Sequence, residues 1–572
     1  MQFTEAIRII REFSSANLPL LQVQLVTGFN SLHLQTFLQA NLQLRTSTKR
    51  ATVMTNIYGD LTGSLKRIPT PLLDGCAIAL EWPDLDPRLG FRRLGGWGPK
   101  ELADVIRDVQ TRLLEIEDSL TNLPANLPVV LSLPTLDLPP VFHTPAHQLS
   151  EAEVQLRQVV NELSFWASGR PNIKLVHPMG DPQHRFDFKG ELIAGLPYTL
   201  LHADQLARSF AQLLLPSVPK KGLITDLDDT LWAGIAGEVG PSAVSWDLDN
   251  QTQLHGLYQQ LLRALADQGI LLAVASKNDP QIVAAVFQRP DIALPRDRIF
   301  PVEVHWGTKA DSVTRILETW NLHADSVVFV DDSLSELAEV KAAHPDLDCI
   351  RFDGQDYEVV HRLLYRLRDL FAKSTMTEED GLRRESLRSS AAFRQAEVSP
   401  RVSHESFLQS SEAKITFDFA AARNPRSLEL VNKTNQFNLN GTRYGEVEWR
   451  DSFKSADSFA VNASYCDKYG PLGVVAVFAG QVRDEAVTVS TWVMSCRAFG
   501  RRIEYQCLKA ILDRFSVPEI VFQFSPTPRN AYLQKFAESF LGEIPTGPFR
   551  ISRALFLDQC PKLYHEVQLH HE

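Results

Sequence analysis

The chain has only six cysteines in 572 residues, at positions 76, 349, 466, 496, 507 and 560, with no CxxC pair and no zinc-like spacing among them. Scattered in this way they exclude a disulfide framework and a structural zinc site, and they fit a reducing compartment. Long apolar runs are also lacking: no stretch of about 18 apolar residues occurs, so no transmembrane helix is expected. The N-terminal Met-Gln-Phe-Thr-Glu has no basic region leading into an apolar one. Charge of one sign is not gathered into runs either. Lys plus Arg number 58 against 69 Asp plus Glu, a net charge of −11, and neither sign forms a tail of the kind that binds nucleic acid. These absences predict a soluble cytoplasmic chain with no nucleic-acid or membrane partner.

Apolar strands that end in acids are what the chain does have. Residues 222–230 read Gly-Leu-Ile-Thr-Asp226-Leu-Asp228-Asp229-Thr230. Two carboxylates at i and i+2 beyond a buried strand repel each other unless a cation lies between them, which suggests Mg²⁺ holding a phosphate against a carboxylate nucleophile. A second apolar run, 270–276, ends in the hydroxyl of Ser276, followed by Lys277 and Asn278 as candidate substrate contacts. A third, 326–332, ends in Asp331 and Asp332, and Lys309 lies between the two. Helical patterns at 251–268 and 310–320 alternate with these strands. That alternation predicts a parallel sheet covered on both faces, with ligands gathering at the carboxyl ends of its strands.

The order Asp-x-Asp-x-Thr, Ser, Lys, Asp-Asp resembles the haloacid dehalogenase superfamily of phosphatases. The resemblance implies Asp226 as nucleophile and Asp228 as acid/base. It implies Thr230 and Ser276 bonding backbone and phosphate, and Lys309 pairing with nucleophile and phosphoryl oxygens. Mg²⁺ would be held by Asp226, Asp228 and the Asp331/Asp332 pair, with Asp332 the direct ligand and Glu336 behind it. More closely, "DLDDTLWAGIAGEVG", "LLAVASKND", "WGTK" (306–309), "VVFVDDSLSE", "NKTNQFNLNGTRY" and "WVMSCRAFGRRIE" resemble the FkbH-like family over about residues 218–510. Better-studied members of that family load a glyceryl unit from a bisphosphoglycerate-type donor onto an acyl carrier protein. The partners implied are thus a phosphorylated acyl donor and a carrier protein with its phosphopantetheine arm. Two departures stand out. Asp229 replaces the family's Asn, and Asp331-Asp332-Ser-Leu-Ser-Glu336-Leu replaces its DDNPxER pattern.

A prior of roughly 150 residues per domain gives about four domains; three are visible in the pattern. Residues 1–215 carry apolar strands at 21–27, 75–81 and 128–133 and resemble an SGNH-like α/β domain. Where that family places Gly-Asp-Ser the chain reads Gly28-Phe29-Asn30-Ser31, which implies a degenerate, non-hydrolytic domain. A run Asp181-Pro-Gln-His184 has the spacing of the late acid/His pair. Residues 219–372 form the phosphatase-like domain of Rossmann-like haloacid dehalogenase fold; 45 residues between Thr230 and Ser276 leave no room for a large cap. Residues 373–405 read as helix and linker.

Residues 406–572 resemble a GNAT-like α+β acyltransferase domain, with a strand at 487–495 and a helix at 500–513 starting from Gly500. Arg497-x-x-Gly500-x-Arg502 partly matches the pyrophosphate-binding turn of that family. Cys496, beside Arg497, Arg501 and Arg502 at a helix start, is the candidate acyl-carrying thiol. The amide run 432–438, with Asn435, Gln436 and Asn438, is a candidate for binding hydroxyls and carbonyls, although such runs also cap turns. Three functions remain open on the sequence: an acyl loader with two sites, a plain Mg²⁺ phosphatase of a soluble metabolite, and a scaffold for carrier proteins.

Overall fold

A computed structural model describes the chain except for residues 15–16, 69–72, 95–97, 99, 141–143, 146, 178–179, 374–403, 420–423, 435, 469, 484–485, 496–497, 528–529 and 571–572. Contacts divide it into two units, Met1–Val218 and Pro219–Glu572. Among the described residues no helix is long and apolar enough to cross a membrane.

The first unit is built on β1 (Leu20–Thr27), β2 (Arg50–Thr55), β3 (Gly75–Ala79), β4 (Val129–Ser132) and β5 (Ile173–Leu175). They lie in the order β2-β1-β3-β4-β5, every neighbouring pair parallel. Alternation along each strand feeds two cores. Val26, Ile78 and Leu131 face one cluster, and Leu25, Ala77 and Val130 the opposite one. A sheet buried on both faces needs apolar residues at every strand position, which is why these strands read as unbroken apolar runs.

The second unit holds a similar parallel sheet, made from β6 (Gly222–Thr225), β7 (Leu271–Ser276), β8 (Val302–Val304), β9 (Val327–Asp331) and β10 (Asp348–Arg351). Its order is β10-β9-β6-β7-β8, again parallel throughout. Leu223, Val274 and Val330 enter one core, and Ile224, Ala273 and Phe329 the other. Helices Gln253–Asp267 and Lys309–Trp320 fall where the periodicity puts them. Between β6 and β7 there is only the short helix Ala236–Val239 besides Gln253–Asp267, so no large cap interrupts the sheet. β6, β7 and β9 all end at one edge, and the candidate residues follow them there.

The remaining strands form a seven-stranded mixed sheet in the order β16-β15-β14-β13-β12-β11-β17. Its members are β11 (Lys414–Asp418), β12 (Ser458–Asp467), β13 (Gly470–Arg483), β14 (Ala486–Met494), β15 (Glu519–Phe522), β16 (Phe549–Ser552) and β17 (Glu566–His570). β12, β13 and β14 make an antiparallel meander, and β14 pairs with β15 in parallel. The helix expected from Gly500 begins only at Ile503. Gly500 and Arg502 both have left-handed φ, 79° and 57°, a conformation in which no right-handed turn can propagate. Most of the expected 373–405 linker lies outside the described residues.

Candidate active site

β6 delivers Asp226 to the carboxyl edge of the central sheet, where its backbone N–H donates to the Val330 carbonyl at 3.0 Å. This bond ties Asp226 to β9 one residue before Asp331. Lys309, the first residue of its helix and only 5% exposed, reaches both acids. Its Nζ lies 2.9 Å from Asp226 Oδ2 and 2.6 Å from Asp331 Oδ2. Burial works against the lysine's charge, but Asp226 and Asp331 outweigh it and hold the ammonium well above its usual range. A lysine locked in charged form is an electrostatic anchor, not a base.

Asp226, Asp331 and Asp332 each offer an oxygen within 4.8 Å of the others. Asp331 is fully buried, and its Oδ1 accepts the Ser333 N–H. Burial, reinforced by Asp226, pushes the pKa of Asp331 and of Asp332 upward. Asp226 Oδ1 is buried with no hydrogen-bond partner. One lysine therefore faces three crowded acids, and one inward oxygen is unsatisfied. Hard oxygen donors in that arrangement suit Mg²⁺, which restores the charge that burial resists.

Asp228 was expected among the metal ligands, and its carboxylate is placed elsewhere. Oδ1 accepts from Trp232 Nε1 at 2.8 Å and Ala236 N at 3.1 Å, and Oδ2 accepts from Asn278 Nδ2 at 2.8 Å. Three donors fix the group and remove it from the metal-binding cluster. Burial still raises its pKa. Asn278, expected to contact substrate, instead orients Asp228. Lys277 pairs with Glu336 Oε1 at 2.8 Å, which turns the expected substrate lysine toward a carboxylate in the first turn of the helix Leu334–Ala343 that follows β9.

Thr230 is fully buried, with its Oγ1 3.5 Å from Asp332 Oδ1. Ser276 is 4% exposed at the end of β7. The departure at Asp229 resolves simply. It is exposed with φ of 51°, and its Oδ1 caps Gly234 N at 2.8 Å, outside the cluster. Asp is among the few side chains that tolerate this backbone.

Sequence reading missed two supports. His255 Nδ1 donates to the Thr230 carbonyl at 2.9 Å, and Tyr258 Oη donates to Thr225 Oγ1 at 3.1 Å. Burial lowers the imidazole's pKa. The only available signal was their common inward face, three apart on one helix.

Among the described residues, the C-terminal candidates are not assembled into a comparable site. Cys496, Arg497 and Asn435 lie outside the described residues. Asn438, 3% exposed, donates to the Thr434 carbonyl and accepts from Asn440 N and Gly441 N, so it caps a turn and does not face ligand. Gln436 bonds Asn321 Oδ1 at 2.8 Å. Arg501, expected to bind substrate and to activate the thiol, is buried against Asp467 at 3.2 Å and lies 5.5 Å from the centre of the Tyr465 ring. Arg502 pairs with Glu405 at 2.7 Å. Two of the three arginines are thus matched by acids, a pattern that adjacency in sequence could not show.

No family model and no curated protein matches the chain. Among solved structures it is similar to the N-terminal part of the protein BF1531 from Bacteroides fragilis, described as containing a phosphatase domain and complexed with Mg. That match has TM-score 0.51 and 20% identity, and it covers 66% of this chain and 100% of that one. The UDP complex of MnaA from S. aureus matches at 10% identity over 67% of this chain and 99% of that one, with a TM-score of 0.15 that carries no argument. The first likeness supports the fold: an α/β chain with parallel-sheet domains.

Proposed function

We propose that the central sheet carries a Mg²⁺-dependent phosphatase centre of haloacid dehalogenase type. The observation behind this reading is the buried constellation of Asp226, Asp331, Asp332 and Lys309, with Asp226 Oδ1 left without a partner. The similar fold of a phosphatase domain crystallised with Mg supports it. Asp226, Asp331 and Asp332 would hold the ion, which when bound neutralises phosphate oxygens and the crowded carboxylates. Asp226 Oδ1 attacks phosphorus, and the bond to the leaving oxygen breaks. Asp228, whose pKa burial raises, passes a proton to that oxygen. The same carboxylate then takes a proton from water as the water oxygen attacks the aspartyl-phosphate, freeing Asp226 and inorganic phosphate. Lys309 holds Asp226 in place and balances phosphoryl charge.

The finer reading is that this centre serves an acyl loader: a phosphorylated acyl donor gives up its acyl group to a thiol, the phosphatase centre removes the remaining phosphate, and a carrier-protein arm receives the product. The FkbH-like motifs support it. Cys496 remains the favoured thiol because Cys507 is buried, with a pKa raised far above the thiol range. Cys466 is exposed and is the alternative.

The test is intact-mass analysis with a phosphoacyl donor and a carrier protein. Asp226→Asn should abolish phosphate release, a loss on the order of several kcal/mol of barrier, while Asp228→Asn should accumulate a phospho-enzyme. Full turnover by Asp226→Asn, or activity that survives exhaustive chelation, refutes the phosphatase centre. Phosphate release with no acyl mass on enzyme or carrier refutes only the loader.

A further inference from the structure

The first unit has its own chemistry at the carboxyl edge of its sheet. A cavity of about 330 Å³ opens there, lined by residues that follow β1, β2, β3 and β4, among them Phe29, Tyr58, Trp82 and Asp84. Ligands of open parallel sheets bind at this edge. Two carboxylates line it without saturating partners. Asp84 Oδ2 accepts the Glu81 N–H at 2.8 Å, and no hydrogen bond reaches its Oδ1 among the described residues. Glu191, only 7% exposed, lines the same cavity and receives no hydrogen bond to its carboxylate. Gly28 makes room for this arrangement: a Cβ there would fall 1.6 Å from Asp84 Oδ1.

Two cations share the lining, Arg112 acting on Asp84 and Arg92 on Glu191. Arg112 bonds Thr62 Oγ1 and Glu115 Oε2, each at 3.0 Å, and the Arg92 guanidinium lies 5.7 Å from the centre of the Tyr58 ring. Glu81, also on the lining, is saturated by Thr135, Leu136 and Tyr198 and holds the turn after β4. The cavity is too large and too aromatic for a bare metal ion, and five acids (Asp60, Glu81, Asp84, Asp137 and Glu191) against two arginines in its lining disfavour an anion. It is not a hydrolase centre of the type whose motif it partly echoes. Asp181 and His184 pair at 3.1 Å on the exposed surface and do not line it.

We propose that this cavity binds a small organic cation, an ammonium group set between Asp84 and Glu191 with its apolar body against the aromatic walls. A bound ammonium lowers the pKa of the carboxyl groups it faces, so that they bond it as carboxylates, and the ring faces add to the attraction. It is independent of the phosphatase reading.

The test is calorimetric titration of the full chain with three probes of one shape: 2-phenylethylammonium, 2-phenylethanol and phenylacetate. The cation should bind at least about tenfold more tightly than the alcohol, with phenylacetate weakest. Asp84→Asn and Glu191→Gln should each remove most of that preference while leaving phosphate release unchanged. Glu191→Gln guards against a folding defect in Asp84→Asn. Equal binding of cation and alcohol, preference for phenylacetate, no binding by any probe, or selectivity unmoved in both variants that melt like the parent would overturn the proposal.

Discussion

The two parallel sheets compensate buried acids with different partners. Each has five strands, each is buried on both faces, and each sends carboxylates to its carboxyl edge. In the central sheet Asp226 and Asp331 are met by the ammonium of Lys309. In the first unit Glu81 is met by hydroxyls and backbone N–H groups alone. Burial then pushes Glu81 up to about 7 and Asp84 up to about 8. Lys309 pulls against the burial that raises Asp331 without cancelling it, whereas the groups that pull against burial at Glu81 are neutral donors. One fold type thus supports two electrostatic regimes, decided by whether a lysine projects into the acids.

Removing that lysine should have the largest effect. Lys309→Met leaves two buried acids facing each other and should cost about 3–5 kcal/mol of stability, read as a lower urea midpoint, with added Mg²⁺ restoring part of it. An unchanged midpoint would mean that the two regimes do not differ as described.

The next effect is a pH dependence read within the first unit. Glu81 and Asp84 bind protons more tightly folded than unfolded, so their contribution is greatest at low pH and is lost as pH rises through their folded values. His202, lowered to about 4 by burial, acts in the opposite direction, but only below its ordinary value of 6.5. Between pH 6.5 and about 8 the acids therefore act alone, and Asp84 should cost about 2 kcal/mol over that interval. Hydrogen exchange in peptides spanning β3 and its following turn, corrected for intrinsic rates, should show protection falling over this range, and Asp84→Asn should flatten the trend.

Gly28→Ala sharpens the comparison at smaller scale. Its Cβ would displace the Asp84 carboxylate, an overpacking cost of about 1–3 kcal/mol visible in the melting of the first unit and not in phosphate release. Asp229→Asn should do least. Its side chain is exposed and caps a turn that Asn also caps, so stability should stay within about 0.5 kcal/mol and phosphatase activity should be unchanged.

Strand and helix placement was largely legible, since unbroken apolar runs at 270–276 and 326–332 became β7 and β9 with edges moved by a residue. The exception, the helix start after Gly500, turned on left-handed backbone at Arg502, which a propensity reading does not anticipate. Residue types carried the chemistry as well: Asp226, Lys309, Asp331 and Asp332 are brought together as their motif implied.

What the sequence determined by itself was therefore the covalent order of acids and the periodicity that buries strands on both faces, because both are local properties of the chain. Tertiary structure alone decided the partners. Asn278 turned out to orient Asp228, Lys277 to pair with Glu336, and Arg501 to lie buried with Asp467. Each of these pairs spans between 34 and 59 positions. A side chain's charge is written in the sequence, but the group that compensates it is set by which strands and helices pack together, and that choice fixes how an acid titrates and what it can bind.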